Sequence, residues 1–268
     1  MHAGKMISGK TRLAGLIGGN TTQSLSPQIH NFLAKQLGHD SVYVAFCVMP
    51  DQLKDAISGA YALGIRGLNV TAPYKNTAML QASAIDASAQ KVSAANLLKY
   101  EPKGYVAYNT DVYGILKSLD HHGITKVKTA AIYGAGGAAK AAVAALATVG
   151  CERLTIANRT ASNAATLASF ALENYGIKAN ASNMINEGDI FIQASSASSS
   201  ELLELCPKNF AAVFDMNYAE PNPWLAQFKN GFDGLSMLIF QAVRAYEIIW
   251  DVNVSDCIVK DLLNKIKI

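Results

Sequence analysis

Charge is scarce in this 268-residue chain. Only 16% of its residues are Asp, Glu, Lys or Arg, and the formal net charge is +3. No basic run gathers the Lys and Arg, so neither nucleic acid nor a membrane surface is expected as a partner. Long apolar spans are missing too. The longest, over 129–151, is interrupted by Lys140 and holds a glycine cluster, which excludes a membrane-spanning helix. The opening "MHAGKMISGK" has no apolar h-region, so a secretory signal is not expected. Cysteine is sparse: Cys47, Cys151, Cys206 and Cys257 lie far apart and form no C-x-x-C. That argues against a metal site and a disulfide framework, and for the reduced thiols of a cytoplasmic protein.

Apolar residues are plentiful. Half the chain is hydrophobic, which suits an α/β protein with strands buried on both faces. The length allows one large domain or two ordinary ones. "RLAGLIG" (12–18), "SVYVAFCV" (41–48) and "GLNV" (67–70) read as strands. Between them, "SPQIHNFLAKQLG" (26–38) and "PDQLKDAISGAYALG" (50–64) read as helices, the first with Ser26 as N-cap and Pro27 at N1. Strands separated by helices predict parallel pairing. A helix over 111–123 precedes a complete βαβ unit over 126–160. Strands over 188–196 and 211–218 follow, then helices over 236–250 and 255–268. The expected organisation is an α/β domain over 1–110, joined by the helical tail 236–268, and a doubly wound dinucleotide-binding domain over 111–235.

"YGAGGAAKA" (133–141) fits G-x-G-x-x-[GA] with Gly134, Gly136 and Ala139, after a strand and at the start of a helix. Such glycines let backbone N–H groups approach a pyrophosphate. At the end of the next strand, where NAD sites usually carry an acid, stands "ANRTAS" (157–162). Arg159, flanked by Asn158 and Thr160, suits a 2′-phosphate, so NADP is the expected cofactor.

Three polar clusters precede that loop. Ser24 and Ser26 lie two apart before a helix. In an extended segment both hydroxyls point one way and cradle a carboxylate. Ser26 caps the helix in any case, so Ser24 carries the added information. Lys75 follows the strand ending in "NVTAP", and Asp111 begins a helix. Beside a nicotinamide they make a proton-transfer pair, because hydride addition to a ketone leaves an alkoxide that needs a proton. Asn96 and Gln241 each put an amide among apolar neighbours, where it can meet a substrate hydroxyl.

Taken in order, "SLSPQIHN", "NVTAPYK", "AANLL", "YNTDVYG", "GAGGAAKA", "NRT", "FDMNYAEPNP" and "GLSMLIFQA" resemble the shikimate dehydrogenase family from about residue 13 to the C-terminal helices. The resemblance implies NADP-dependent, reversible reduction of 3-dehydroshikimate to shikimate in aromatic amino-acid biosynthesis, in a cleft between two domains. It implies Ser24 and Ser26 on the substrate carboxylate with Tyr218 nearby, and Thr71, Asn96 and Gln241 on the ring hydroxyls. Lys75 and Asp111 become the catalytic pair. Gly134, Gly136, Gly137 and Ala138 hold the pyrophosphate, and Asn158, Arg159 and Thr160 the 2′-phosphate end. Quinate or aminoshikimate dehydrogenases of the same family are the nearest alternatives, and a sensor without turnover is a third. A monomer or a homodimer is expected. The chain departs from the family pattern at Gln23, in "SAANL" (93–97), in "QASS" (193–196) and at Asn163.

Overall fold

The computed structural model describes residues 7–182, 184–185, 187–197, 201–202, 209–218 and 222–266. It divides into two compact units. The first is 1–110 with 241–267, and the second is 111–240.

The first unit is built on a six-stranded mixed sheet. β1 (Arg12–Gly18) pairs in parallel with β2 (Ser41–Cys47) and β3 (Gly67–Val70). β5 (Leu97–Glu101) and β6 (Gly104–Tyr108) add antiparallel strands, and the short β4 (Ala84–Ile85) closes the order β2-β1-β3-β5-β6-β4. Purely parallel pairing therefore does not hold here. Strands 97–101 and 104–108 are joined by only two residues, and a tight hairpin can connect antiparallel strands only. Gly104 at its end has φ +127°, a conformation that favours glycine.

Helices α1 (Ser26–Gln36) and α2 (Leu53–Ala62) connect the first three strands, and both are followed by a left-handed glycine, Gly38 and Gly64. The strands feed two apolar clusters. One joins Ile17, Leu68, Val70 and Leu98 to Leu53 and Ile57 of α2. The other joins Leu16, Tyr43 and Leu97 to Ala245 and Ile249. The short helices α3 (Lys75–Leu80) and α4 (Ala87–Val92) lie between β3 and β5.

The second unit opens with α5 (Asp111–His121). Its sheet is wholly parallel. β7 (Thr129–Tyr133), β8 (Arg153–Ala157), β9 (Lys178–Ala181), β10 (Glu187–Gln193), β11 (Asn209–Asp215) and β12 (Gly231–Phe232) stand in the order β12-β11-β10-β7-β8-β9. Numbered within the unit this is 6-5-4-1-2-3, the doubly wound dinucleotide-binding order, whose crevice opens where β7 meets β10. α6 (Gly137–Thr148) and α7 (Ala161–Tyr175) are its crossovers. The apolar span at 129–151 is thus a buried strand and a buried alanine-rich helix rather than a membrane segment. Among the described residues no helix is long and apolar enough to cross a membrane.

The helical tail comprises α8 (Leu235–Trp250) and α9 (Asp256–Lys265). The unit boundary falls inside α8, between Phe240 and Gln241. Ala245 and Ile249 pack on the first unit's sheet, and α9 packs on α1. Residues 219–221 of "FDMNYAEPNP", Cys206 and the last two residues lie outside the described residues.

Candidate active site

In the first unit the ends of β1 and β3 are laced together. Thr71 N–H donates to the Ile17 carbonyl at 2.9 Å, and Gly19 N–H to the Ala72 carbonyl at 3.3 Å. A Cβ on Gly18 would overlap the Thr71 methyl, so the glycine permits this approach. The buried Tyr74 anchors the loop by donating its phenol to the Val48 carbonyl at 2.6 Å. Half-buried Lys75 follows as the first residue of α3. Its carbonyl accepts the Ala95 N–H at 3.0 Å, which ties it to the segment carrying Asn96.

Ser24 and Ser26 differ from expectation. Leu25 between them is helical, with φ −80° and ψ −8°, so the segment is not extended. Ser26 is not the N-cap either: it is the first helical residue, and Leu25 holds the cap position without a side-chain bond. The Ser24 hydroxyl accepts the Ser26 N–H at 3.2 Å, because a serine two residues upstream reaches the open backbone donor. Ser24 is half-buried and Ser26 buried.

Asn96 and Gln241, 145 positions apart, do meet. Asn96 Nδ2 donates to Gln241 Oε1 at 3.3 Å and to Thr110 Oγ1 at 2.9 Å. Thr110 N–H donates to Asn96 Oδ1 at 2.7 Å, and its hydroxyl lies 3.3 Å from Gln241 Oε1. Thr110 thus grips the Asn96 amide at both ends and fixes its orientation. Sequence reading passed over Thr110, although it sits inside the quoted "YNTD". It also passed over Asn69, whose Nδ2 donates to the Asn96 carbonyl at 3.1 Å. An amide between Leu68 and Val70 on a fully buried strand was the available signal.

In the second unit Asp111 is buried as the first residue of α5, next in the chain after Thr110. The carboxyl ends of four strands align: Tyr133 pairs with Ala157 and Gln193, and Gln193 with Asp215.

The glycine loop leaves β7 at this row, and its two key glycines differ in cause. Gly134 has φ +123°, and a Cβ there would lie 2.7 Å from the Ala194 carbonyl oxygen. The protein's own packing demands that glycine. Gly136, the N-cap of α6, has φ −87°, and beyond its chain neighbours a Cβ would meet no atom of the described residues within 4 Å. Among the described residues nothing requires a glycine at Gly136, which fits space kept for a bound group. Gly137 and Ala138 open α6 beyond it, and buried Ala139 lets the helix pack close to the sheet.

The neighbouring loop after β8 carries Asn158, half-buried, whose Nδ2 donates to the Thr160 carbonyl at 2.9 Å. Arg159 and Thr160 are exposed, and Arg159 makes no ion pair among the described residues. Thr160 is the N-cap of α7.

After β10, buried Gln193 folds back so that its Oε1 accepts the Ser195 N–H at 3.0 Å. Buried Asp215 accepts from Asn217 N–H at 3.0 Å and from Asn222 Nδ2 at 2.8 Å. Burial pushes its carboxyl up, and those donors pull the other way. Asn217 Nδ2 also reaches the Ser195 carbonyl at 3.1 Å, joining the two strand exits. Tyr218 follows, half-buried, its phenol pKa raised by burial. Among the described residues no group of three or more His, Cys, Asp and Glu is placed to hold a metal.

A doubly wound sheet with an open glycine at its switch point, joined to a second α/β unit, defines a two-domain dinucleotide-binding protein. The family models agree in detail. Residues 16–98 match the shikimate dehydrogenase substrate binding domain, and residues 118–205 match shikimate / quinate 5-dehydrogenase. An NADP(+) shikimate dehydrogenase of Caldanaerobacter subterraneus subsp. tengcongensis is 36% identical over 90% of this chain and 92% of its own. One from Saccharolobus solfataricus is 37% identical over 93% of both. Among solved structures, a shikimate dehydrogenase in complex with NADP+ superposes with a TM-score of 0.84, at 34% identity over 99% of each chain. That of Listeria monocytogenes, holding shikimate and NAD, gives 0.80 at 26% identity over 97% of this chain and 99% of its own. The chain belongs to the shikimate dehydrogenase family.

Proposed function

We propose that this chain is an NADP-dependent shikimate dehydrogenase, reversibly reducing 3-dehydroshikimate to shikimate. The observation that carries this reading is the near-complete match to relatives of that name, 36% identical over 92% of one relative's length. The first unit holds the substrate and the second the cofactor. The reading places the protein in the cytoplasm, in keeping with the free thiols of Cys47, Cys151 and Cys257.

The cofactor fits the residues present. The empty space beside Gly136 takes a pyrophosphate against the N-terminus of α6, with Gly134, Gly137 and Ala138 shaping the loop. Arg159, exposed at the exit of β8, pairs with the 2′-phosphate, and Asn158 and Thr160 flank it. When bound, NADPH supplies a hydride to the substrate's carbonyl carbon. The carbonyl oxygen then needs a proton. Lys75 gives one, with Asp111 as the other member of the catalytic pair. Ser24 and Ser26 bind the substrate carboxylate with Tyr218 nearby. Thr71, Asn96 and Gln241 take the ring hydroxyls, with the amides pre-oriented by Thr110.

The test is NADPH formation on mixing the purified chain with shikimate and NADP+, beside arms with NAD+ and with quinate. Turnover confined to shikimate with NADP+ is the expected result. Equal turnover with quinate or NAD+ moves the chain to the broader dehydrogenases of the family. Binding of shikimate with no turnover in any arm replaces the enzyme with a sensor.

A further inference from the structure

We infer that Tyr43, remote in sequence from every motif of the site, is a positioning residue for substrate binding, acting on Asn96 through Asn69. The inference rests on the reading of Asn96 as a substrate contact.

Tyr43 stands in the middle of β2 and is 3% exposed. Its backbone is clamped from α1: Tyr43 N–H donates to Asn31 Oδ1, and Asn31 Nδ2 donates to the Tyr43 carbonyl, both at 2.9 Å. Its ring is stacked on His30, with centroids 4.0 Å apart and planes 11° from parallel. Among the described residues neither nitrogen of His30 has a hydrogen-bond partner, so His30 serves as a flat plate and not as a polar relay. The phenol therefore points in one fixed direction.

That direction is Asn69. The Tyr43 hydroxyl donates to Asn69 Oδ1 at 2.9 Å. A carboxamide has one acceptor end and one donor end. Committing Oδ1 to Tyr43 turns Nδ2 toward the Asn96 carbonyl, which it meets at 3.1 Å. The same carbonyl accepts the Val70 N–H at 2.8 Å, just beyond the last paired residues of β3 and β5. The Asn69 amide is thus a side-chain addition that holds the Asn96 backbone from outside the ladder. Thr110 holds the Asn96 side chain, and Asn69 with Tyr43 holds its main chain.

Removing the phenol oxygen leaves Asn69 Oδ1 buried without that donor. A flip of the amide would set oxygen against the Asn96 carbonyl oxygen. Either outcome loosens the segment carrying Asn96, and it does so without changing core shape, since phenylalanine fills the same volume among Leu16, Leu97 and Ile249.

The experiment compares the full chain with Tyr43→Phe, Asn96→Ala and the double variant in shikimate oxidation with NADP+. Tyr43→Phe is expected to raise KM for shikimate about five- to tenfold, the size of effect a lost buried hydrogen bond produces. KM for NADP+ should stay within about twofold. On the Asn96→Ala background the Tyr43→Phe step should have no further effect on KM, a non-additivity that a general loss of stability does not produce. If Asn96→Ala raises KM while Tyr43→Phe leaves it unchanged, the inference fails and the reading of Asn96 stands. If Asn96→Ala itself leaves KM unchanged, that reading fails and the inference goes with it.

Discussion

His30 makes acid a specific threat to the first unit. It is 2% exposed on α1, and among the described residues neither ring nitrogen has a partner. The rings facing it are Tyr43, stacked at 4.0 Å, and Tyr246, tilted at 5.9 Å. Burial raises both phenols' pKa values, so both stay neutral and neither offers a charge to an imidazolium. Burial alone lowers the His30 pKa from 6.5 to about 3. The folded pKa lies below the unfolded one, so between them the unfolded chain binds more protons. Stability contributed by neutral His30 is complete above about pH 7 and is lost as pH falls through 6.5 toward 3. One proton at 1.36 kcal/mol per pH unit gives a loss of about 2 kcal/mol between pH 7.5 and 5. Replacing the imidazole with phenylalanine keeps a ring against Tyr43 and removes the titration. Urea unfolding of wild type and His30→Phe at both pH values isolates the contribution, because other titrating groups cancel in the difference. Wild type should lose about 2 kcal/mol more than the variant on acidification. Parallel pH dependences, or a His30 imidazole resonance that titrates near 6.5 in the native protein, would refute the assignment of a dry, unpartnered ring.

The cofactor loops make sharper predictions. Arg159→Ala should raise KM for NADP+ by about 10- to 100-fold, the worth of a charge-assisted hydrogen bond, and barely change KM for NAD+. Equal effects on both would show that Arg159 does not read the 2′-phosphate. Gly136→Ala should leave thermal stability unchanged, since among the described residues its Cβ meets nothing beyond its chain neighbours, and should weaken NADP+ by about tenfold or more. Gly134→Ala should instead destabilise the fold by at least about 1–3 kcal/mol, because φ is +123° and the Cβ strikes backbone. An unchanged KM in Gly136→Ala removes the pyrophosphate from that space.

Local pattern was legible where it is self-contained. β1 and β3 lie where their apolar runs put them, and the βαβ unit with its glycine loop follows from sequence alone. The 97–108 hairpin was missed although Pro102 and Gly104 mark its turn. Leu97 and Leu98 are both buried, which breaks the alternation that identifies a strand. α7 was missed because its buried face is made of Ala164, Ala168 and Ala171 around a single Leu167, a weak apolar stripe. At the site, residue types were legible and partnerships were not. Ser26 had the chemistry of a cap, yet Ser24 bonds the helix's first N–H. The links from Tyr43 to Asn69 and from Asn96 to Gln241 join residues 26 and 145 positions apart. No spacing rule reaches that far.

In the proposed reaction Lys75 handles the proton of a hydride transfer between shikimate and NADP. The most direct measurement is kcat for shikimate oxidation by wild type and by Lys75→Ala at saturating NADP+. Robust turnover is expected in the wild type and a fall of about 10²- to 10⁴-fold in the variant, with shikimate affinity much less affected. An unchanged kcat would contradict it and remove Lys75 from the chemistry.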